Sequence, residues 1–97
     1  SGFIFEIAAL GKPSILIPLP SAAANHQAKN AYAYSETGAT LVIEQDNLTP
    51  NFFLEKFRSL FLHPEKLEEM KEKALKFSKP FAAKAIAREI LEFFMIQ

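Results

Sequence analysis

Residues 1–20 read SGFIFEIAALGKPSILIPLP, and the second half of that stretch decides the fold. Ser14 to Leu19, SILIPL, is a continuous apolar run with proline near its end, the pattern of a strand buried on both faces. Gly11, just after IAAL, stands where a preceding helix would close in a left-handed C-cap. The same order recurs downstream. Gly38 follows AYSET as a second helix stop, and Thr40 to Glu44, TLVIE, is rich in β-branched residues and reads as a second strand. Helix, strand, helix, strand in this order indicates an α/β fold with parallel strands.

After the second strand the punctuation changes. Pro50, Pro64 and Pro80 each precede a helical pattern, and proline suits a first helical turn because its missing N–H has no intrahelical partner there. Thr49 is the expected N-cap of the helix that Pro50 opens. Three more helices follow on this reading, about five in all with two parallel strands. Phe53, Phe57, Leu60 and Phe61, and then Leu67, Met70, Ala74 and Phe77, repeat at helical spacing as core stripes. The terminal FFMI, residues 93–96, exceeds what one core stripe needs and is expected to dock on a neighbouring domain or touch a membrane surface. Two strands alone bury their faces poorly. Residues 1–97 are therefore expected to be the C-terminal part of a larger doubly wound domain.

Composition narrows the function classes. Lys plus Arg and Asp plus Glu number eleven each in 97 residues, so no charge imbalance draws the chain to nucleic acid or anionic lipid. Cysteine is absent, which excludes a disulfide framework and thiolate metal sites. The apolar runs are broken by Glu6, Lys12 and Pro18, well short of a membrane span, and no basic flank or small-residue cleavage site suggests a signal peptide.

Two stretches carry candidate chemistry. If Ser1 and Gly2 form a tight turn opening the first helix, the first-turn amides and the helix dipole make an anion site, with phosphate as its usual occupant. Glu6, about one turn on, has two oxygens suited to the vicinal hydroxyls of a ribose; the plainer reading is that it complements the helix dipole. The second stretch, ANHQAKNA (residues 24–31), follows the first strand, where ligands of open α/β sheets bind. His26, Gln27 and Asn30 offer neutral donors and acceptors for sugar hydroxyls, although Asn25 and His26 also read as an N-cap and a helix-surface histidine. No metal site is expected, since His63 is the other histidine and no spaced carboxylates complete a ligand set.

SGFIFEIAALGKPSILIPLP, then NHQAKNA, then GATLVIEQDNLTP together resemble the C-terminal half of the bacterial UDP-N-acetylglucosamine transferases that convert lipid I to lipid II in peptidoglycan synthesis. The resemblance extends to the end of the chain. It implies a GT-B fold, two Rossmann-like domains facing across a cleft, with residues 1–97 as the C-terminal portion of the donor-binding domain. In that family a Ser-Arg-Ala-Gly segment precedes the small-residue turn, so the chain is expected to begin inside its own motif.

By the same resemblance Ser1 and Gly2 lie beside the donor sugar and diphosphate, and the amides of Gly2 and Phe3 meet phosphate oxygens. Glu6 holds the ribose, and His26, Gln27 and Asn30 line the N-acetylglucosamine pocket. Phe3 departs from the Ser or Thr usual at its position, and Ala24 from a frequent acidic residue. The implied reaction is inverting, without a cofactor, metal or covalent sugar intermediate. The general base, uracil clamp and lipid-acceptor site fall outside these residues, so none here is a catalytic candidate. The implied partners are UDP-N-acetylglucosamine and the lipid-linked acceptor, with peripheral association at the cytoplasmic face of the bacterial inner membrane and no nucleic acid. Two alternatives remain: a relative of the catalytic subunit of the dolichol-linked N-acetylglucosamine transferase, and a noncatalytic donor-domain module.

Overall fold

The computed structural model describes residues 2–19 and 25–96, with the side chains of residues 3–19 and 26–95. Its elements are α1 (Gly2–Ala9), β1 (Ser14–Leu16), α2 (Asn25–Glu36), β2 (Thr40–Val42), a 3-10 turn (Gln45–Asn47), α3 (Pro50–Phe61) and α4 (Pro64–Ile96). β1 and β2 pair in parallel, Ser14 opposite Thr40 and Leu16 opposite Val42. The α/β reading with two parallel strands therefore holds.

The glycine and threonine punctuation acts as its chemistry requires. Gly11 has φ of 63° and Gly38 φ of 90°, the left-handed region where a Cβ would be strained. At Gly11 a Cβ would also stand 3.1 Å from the Leu75 side chain of α4, so this C-cap doubles as a packing contact. The Thr49 hydroxyl accepts from the Phe52 amide at 3.2 Å, capping α3 with Pro50 in its first turn.

Pro80 does not open a helix. It lies inside α4, which runs unbroken for 33 residues, so the described chain has four α-helices where sequence spacing indicates five. The reason is tertiary. Phe77 and Phe81, on either side of Pro80, both pack on Phe5 of α1, with ring centroids 5.8 and 4.5 Å away. These contacts hold one continuous helix across a residue that removes a backbone bond to the carbonyl four positions earlier.

The strands are also shorter than the apolar runs that contain them. Pairing extends one bond past β1, with the Ile43 amide donating to the Leu16 carbonyl at 2.9 Å, and Pro18 has no N–H to continue it. At the other end the Ser14 hydroxyl donates to Thr40 Oγ1 at 2.8 Å, and Thr40 Oγ1 donates to the Ser14 carbonyl at 3.0 Å. That exchange satisfies a buried threonine. β1 is half-buried throughout rather than sealed on both faces.

The core lies between α1, α2 and the first half of α4. Ile4, Ala8, Tyr34, Ala39 and Ala74 are buried there, with Leu16 and Phe77 packed against them. Small residues at 8, 39 and 74 let these elements approach closely, and Tyr34 fills the space beside Phe77, ring centroids 4.9 Å apart. The second stripe thus behaves as core through Met70, Ala74 and Phe77. The first does so only in part: Leu60 is buried, but Phe57 and Phe61 are exposed. Phe53, Phe57 and Phe61 stack in series along α3 and border an apolar groove of about 300 Å³ with Pro13 and Ile15. At the far end of α4, Phe93, Phe94 and Met95 are exposed, Met95 to 83%.

Candidate functional site

Parallel topology brings two helix N-termini to one edge of the sheet. α2 begins after the carboxyl end of β1, while α1 ends at Ala9, with the Gly11 turn leading to the amino end of β1, so its own start lies toward the carboxyl side. First-turn amides of an α-helix have no intrahelical acceptor, and the dipole places partial positive charge at that end.

Between these elements lies a cleft of about 400 Å³, lined by Phe3 and Ile4 of α1, Ile15, Leu16, Ile17 and Pro18 along β1 and its exit, and Gln27 and Ala31 of α2. Among the described lining residues the side chains are aliphatic or aromatic except for the Gln27 amide. Gln27 and Ala31 share a face because they are four apart on α2. Phe3 is 67% exposed, since Ile4 and Ala8 supply the buried face of α1 and Phe5 makes its aromatic contacts with α4.

The other sequence candidates are distributed around this cleft. Gly2 is the first residue of α1, while Ser1 lies outside the described residues, as does Ala24. Glu6 is exposed and borders a separate groove of about 200 Å³ between α1 and α4, with Phe5, Ala9, Ser78, Phe81, Ala82 and Ala85. His26 and Asn30 are exposed on α2, four apart, about a quarter turn round from the Gln27 face; they are not among the cleft-lining side chains. Asn25 begins α2.

Sequence reasoning reads Ile15 to Pro18 as part of a strand buried on both faces and singles out neither Ile4 nor Ala31. The usable signal was Pro18, which ends strand pairing and lines the cleft.

Two local pairs of titratable groups lie away from this cleft. His63 Nδ1 sits 3.1 Å from Glu65 Oε1 at the start of α4. The backbone amide of Glu65, and then His63, hold the Glu65 carboxyl below its usual range. The Tyr32 hydroxyl donates to Glu44 at 2.5 Å, a bond that raises the Tyr32 pKa. No group of His, Asp or Glu side chains suited to a metal ion occurs among the described residues, and no helix there is long and apolar enough to cross a membrane.

Comparison with known proteins places this geometry in context. The glycosyltransferase family 28 C-terminal domain matches residues 1–88. A relative from Anaeromyxobacter sp. (strain K), a UDP-N-acetylglucosamine–N-acetylmuramyl-(pentapeptide) pyrophosphoryl-undecaprenol N-acetylglucosamine transferase, is 40% identical over 87 residues, covering 90% of this chain and 23% of the relative. Transferases of the same name from Oenococcus oeni and Nostoc punctiforme are 41% identical over 87 residues and 36% over 95 residues. They cover 90% and 95% of this chain and 23% and 27% of those proteins. The chain thus spans about a quarter of the length of these curated relatives. No solved structure matches it. With the match running from the start of α1 well into α4, the chain belongs to the glycosyltransferase family 28 C-terminal domain, a member of the GT-B fold.

Proposed function

We propose that residues 1–97 form the closing portion of the donor-sugar domain of a transferase that moves N-acetylglucosamine from UDP-N-acetylglucosamine to lipid I, giving lipid II for peptidoglycan synthesis. The observation that carries this reading is the cleft at the carboxyl end of β1, flanked by two helix N-termini, with Gln27 as its polar lining residue. Such a position suits a sugar nucleotide in an α/β sheet.

The diphosphate lies at the N-terminus of α1, on the amides of Gly2 and Phe3 and beside Ser1. The sugar enters the β1-end cleft toward Gln27, with His26 and Asn30 at its rim, and the ribose extends toward Glu6 over the α1–α4 side. As the anomeric carbon is attacked by the acceptor hydroxyl with inversion, negative charge develops on the departing diphosphate, and the fixed helix-end amides stabilise it without reorganising. The acceptor site and general base belong to the rest of the enzyme. Peripheral attachment to the cytoplasmic face of the inner membrane follows from the lipid acceptor.

Calorimetry on the intact natural protein that carries these residues tests the assignment. Glu6→Ala is expected to weaken UDP and UDP-N-acetylglucosamine alike by roughly 1–3 kcal/mol, the cost of leaving hydrogen-bonding hydroxyls without an ionised partner. Gln27→Ala is expected to weaken UDP-N-acetylglucosamine and leave UDP nearly unchanged. Unaltered affinities in both variants would remove the two residues from the site.

A further inference from the structure

We propose that the Phe3 side chain selects the sugar: its ring forms the wall that receives the acetamido methyl of a 2-acetamido sugar, while Gln27 takes the polar part of the same group. This rests on the donor-site reading above and concerns a side chain outside the packing of α1 among the described residues. α1 buries Ile4 and Ala8 and sends Phe5 into the aromatic cluster with Phe77 and Phe81. Phe3 joins neither and stays 67% exposed, yet it lines the same cleft as Gln27.

The chemistry of the lining points to the acetamido group. Apart from Gln27, the described residues that line the cleft are Phe3, Ile4, Ile15, Leu16, Ile17, Pro18 and Ala31. A hydroxyl pressed against the apolar part of that lining loses water without gaining a partner. An acetamido group carries a methyl for the apolar wall and an amide for Gln27, so it fits both parts of the lining where a plain hexose fits one. Among the described lining residues Phe3 has the largest apolar side chain and, at 67%, is more exposed than Ile17 at 37%.

The test is the ratio of kcat/KM for UDP-N-acetylglucosamine to that for UDP-glucose in the intact natural protein, with UDP affinity measured alongside. Phe3→Ala is expected to lower that ratio about tenfold, within the range that a lost apolar contact gives in substrate discrimination, and to change UDP affinity less than UDP-N-acetylglucosamine affinity. Phe3→Leu, which keeps an apolar wall and preserves volume better, is expected to fall between the wild type and Phe3→Ala. A ratio unchanged in both variants overturns the proposal while leaving the donor site standing. Equal losses for UDP and UDP-N-acetylglucosamine also overturn it, because they place the ring on the nucleotide. A wild-type protein that binds neither ligand removes the donor-site reading itself, and this inference with it.

Discussion

Replacing Pro80 by alanine is expected to strengthen the protein. Proline within a helix costs about 3 kcal/mol relative to alanine, through the lost N–H bond and the clash of its ring with the preceding turn. Pro80 is exposed on α4, so its ring contributes little burial to set against that cost. Proline also restricts the unfolded chain, which returns roughly 0.4–1 kcal/mol. The net gain for Pro80→Ala is about 2 kcal/mol, held in the turn between Lys76 and Lys84. Native-state hydrogen exchange reads it directly: the amides of residues 81–84 should gain protection by about thirtyfold, since 1.4 kcal/mol is a factor of ten. The alternative is that proline sets the helix direction needed to bring Phe81 onto Phe5. Protection that falls, together with a lower melting temperature, would establish that alternative and refute the reasoning.

Three other outcomes follow from the packing. Gly11→Ala is expected to destabilise by about 1–2 kcal/mol from the left-handed backbone alone, with crowding against Leu75 added; an unchanged thermal midpoint would show that the turn relaxes. Tyr34 is fully buried, and its hydroxyl has no partner among the described residues, so Tyr34→Phe is expected to stabilise by about 1 kcal/mol in urea titration, whereas a loss of that size would reveal a partner. Glu65 has its folded-state pKa lowered by its own backbone amide and by His63. Its contribution is present above the ordinary carboxylate pKa and lost as pH falls through the lowered value. Glu65→Gln should flatten the acid-side fraying of α4 seen by amide exchange, and an identical profile in the variant would assign that fraying to other groups.

Local chemistry was legible in the sequence wherever one residue type has one conformational use. Gly11, Gly38 and the Thr49-Pro50 pair marked helix boundaries because left-handed φ and first-turn capping are properties of those residues themselves. Pro80 was misread for the opposite reason: its place is decided by Phe5, more than seventy positions away in the chain, and spacing within α4 holds no trace of that contact. Phe57 and Phe61 have the right period for a core stripe, but periodicity records which face is apolar and not whether an element covers it. Glu6 and Gln27 stood out as polar residues at informative positions. That they border different grooves depends on how α1 lies against both α4 and the strand.

The length of α4 also sets how residues 1–97, taken alone, would tumble in solution. At about 1.5 Å per residue a 33-residue helix is roughly 50 Å long, close to the longest dimension of 57 Å. The radius of gyration, 16.0 Å, exceeds the roughly 12–13 Å of a compact chain this size. Rotational diffusion is therefore anisotropic: end-over-end tumbling is slower than spinning about the long axis. Helical N–H vectors run nearly parallel to the helix axis, so those of α4 report mainly the slow component in nitrogen relaxation, while amides lying across that axis also sense the fast one.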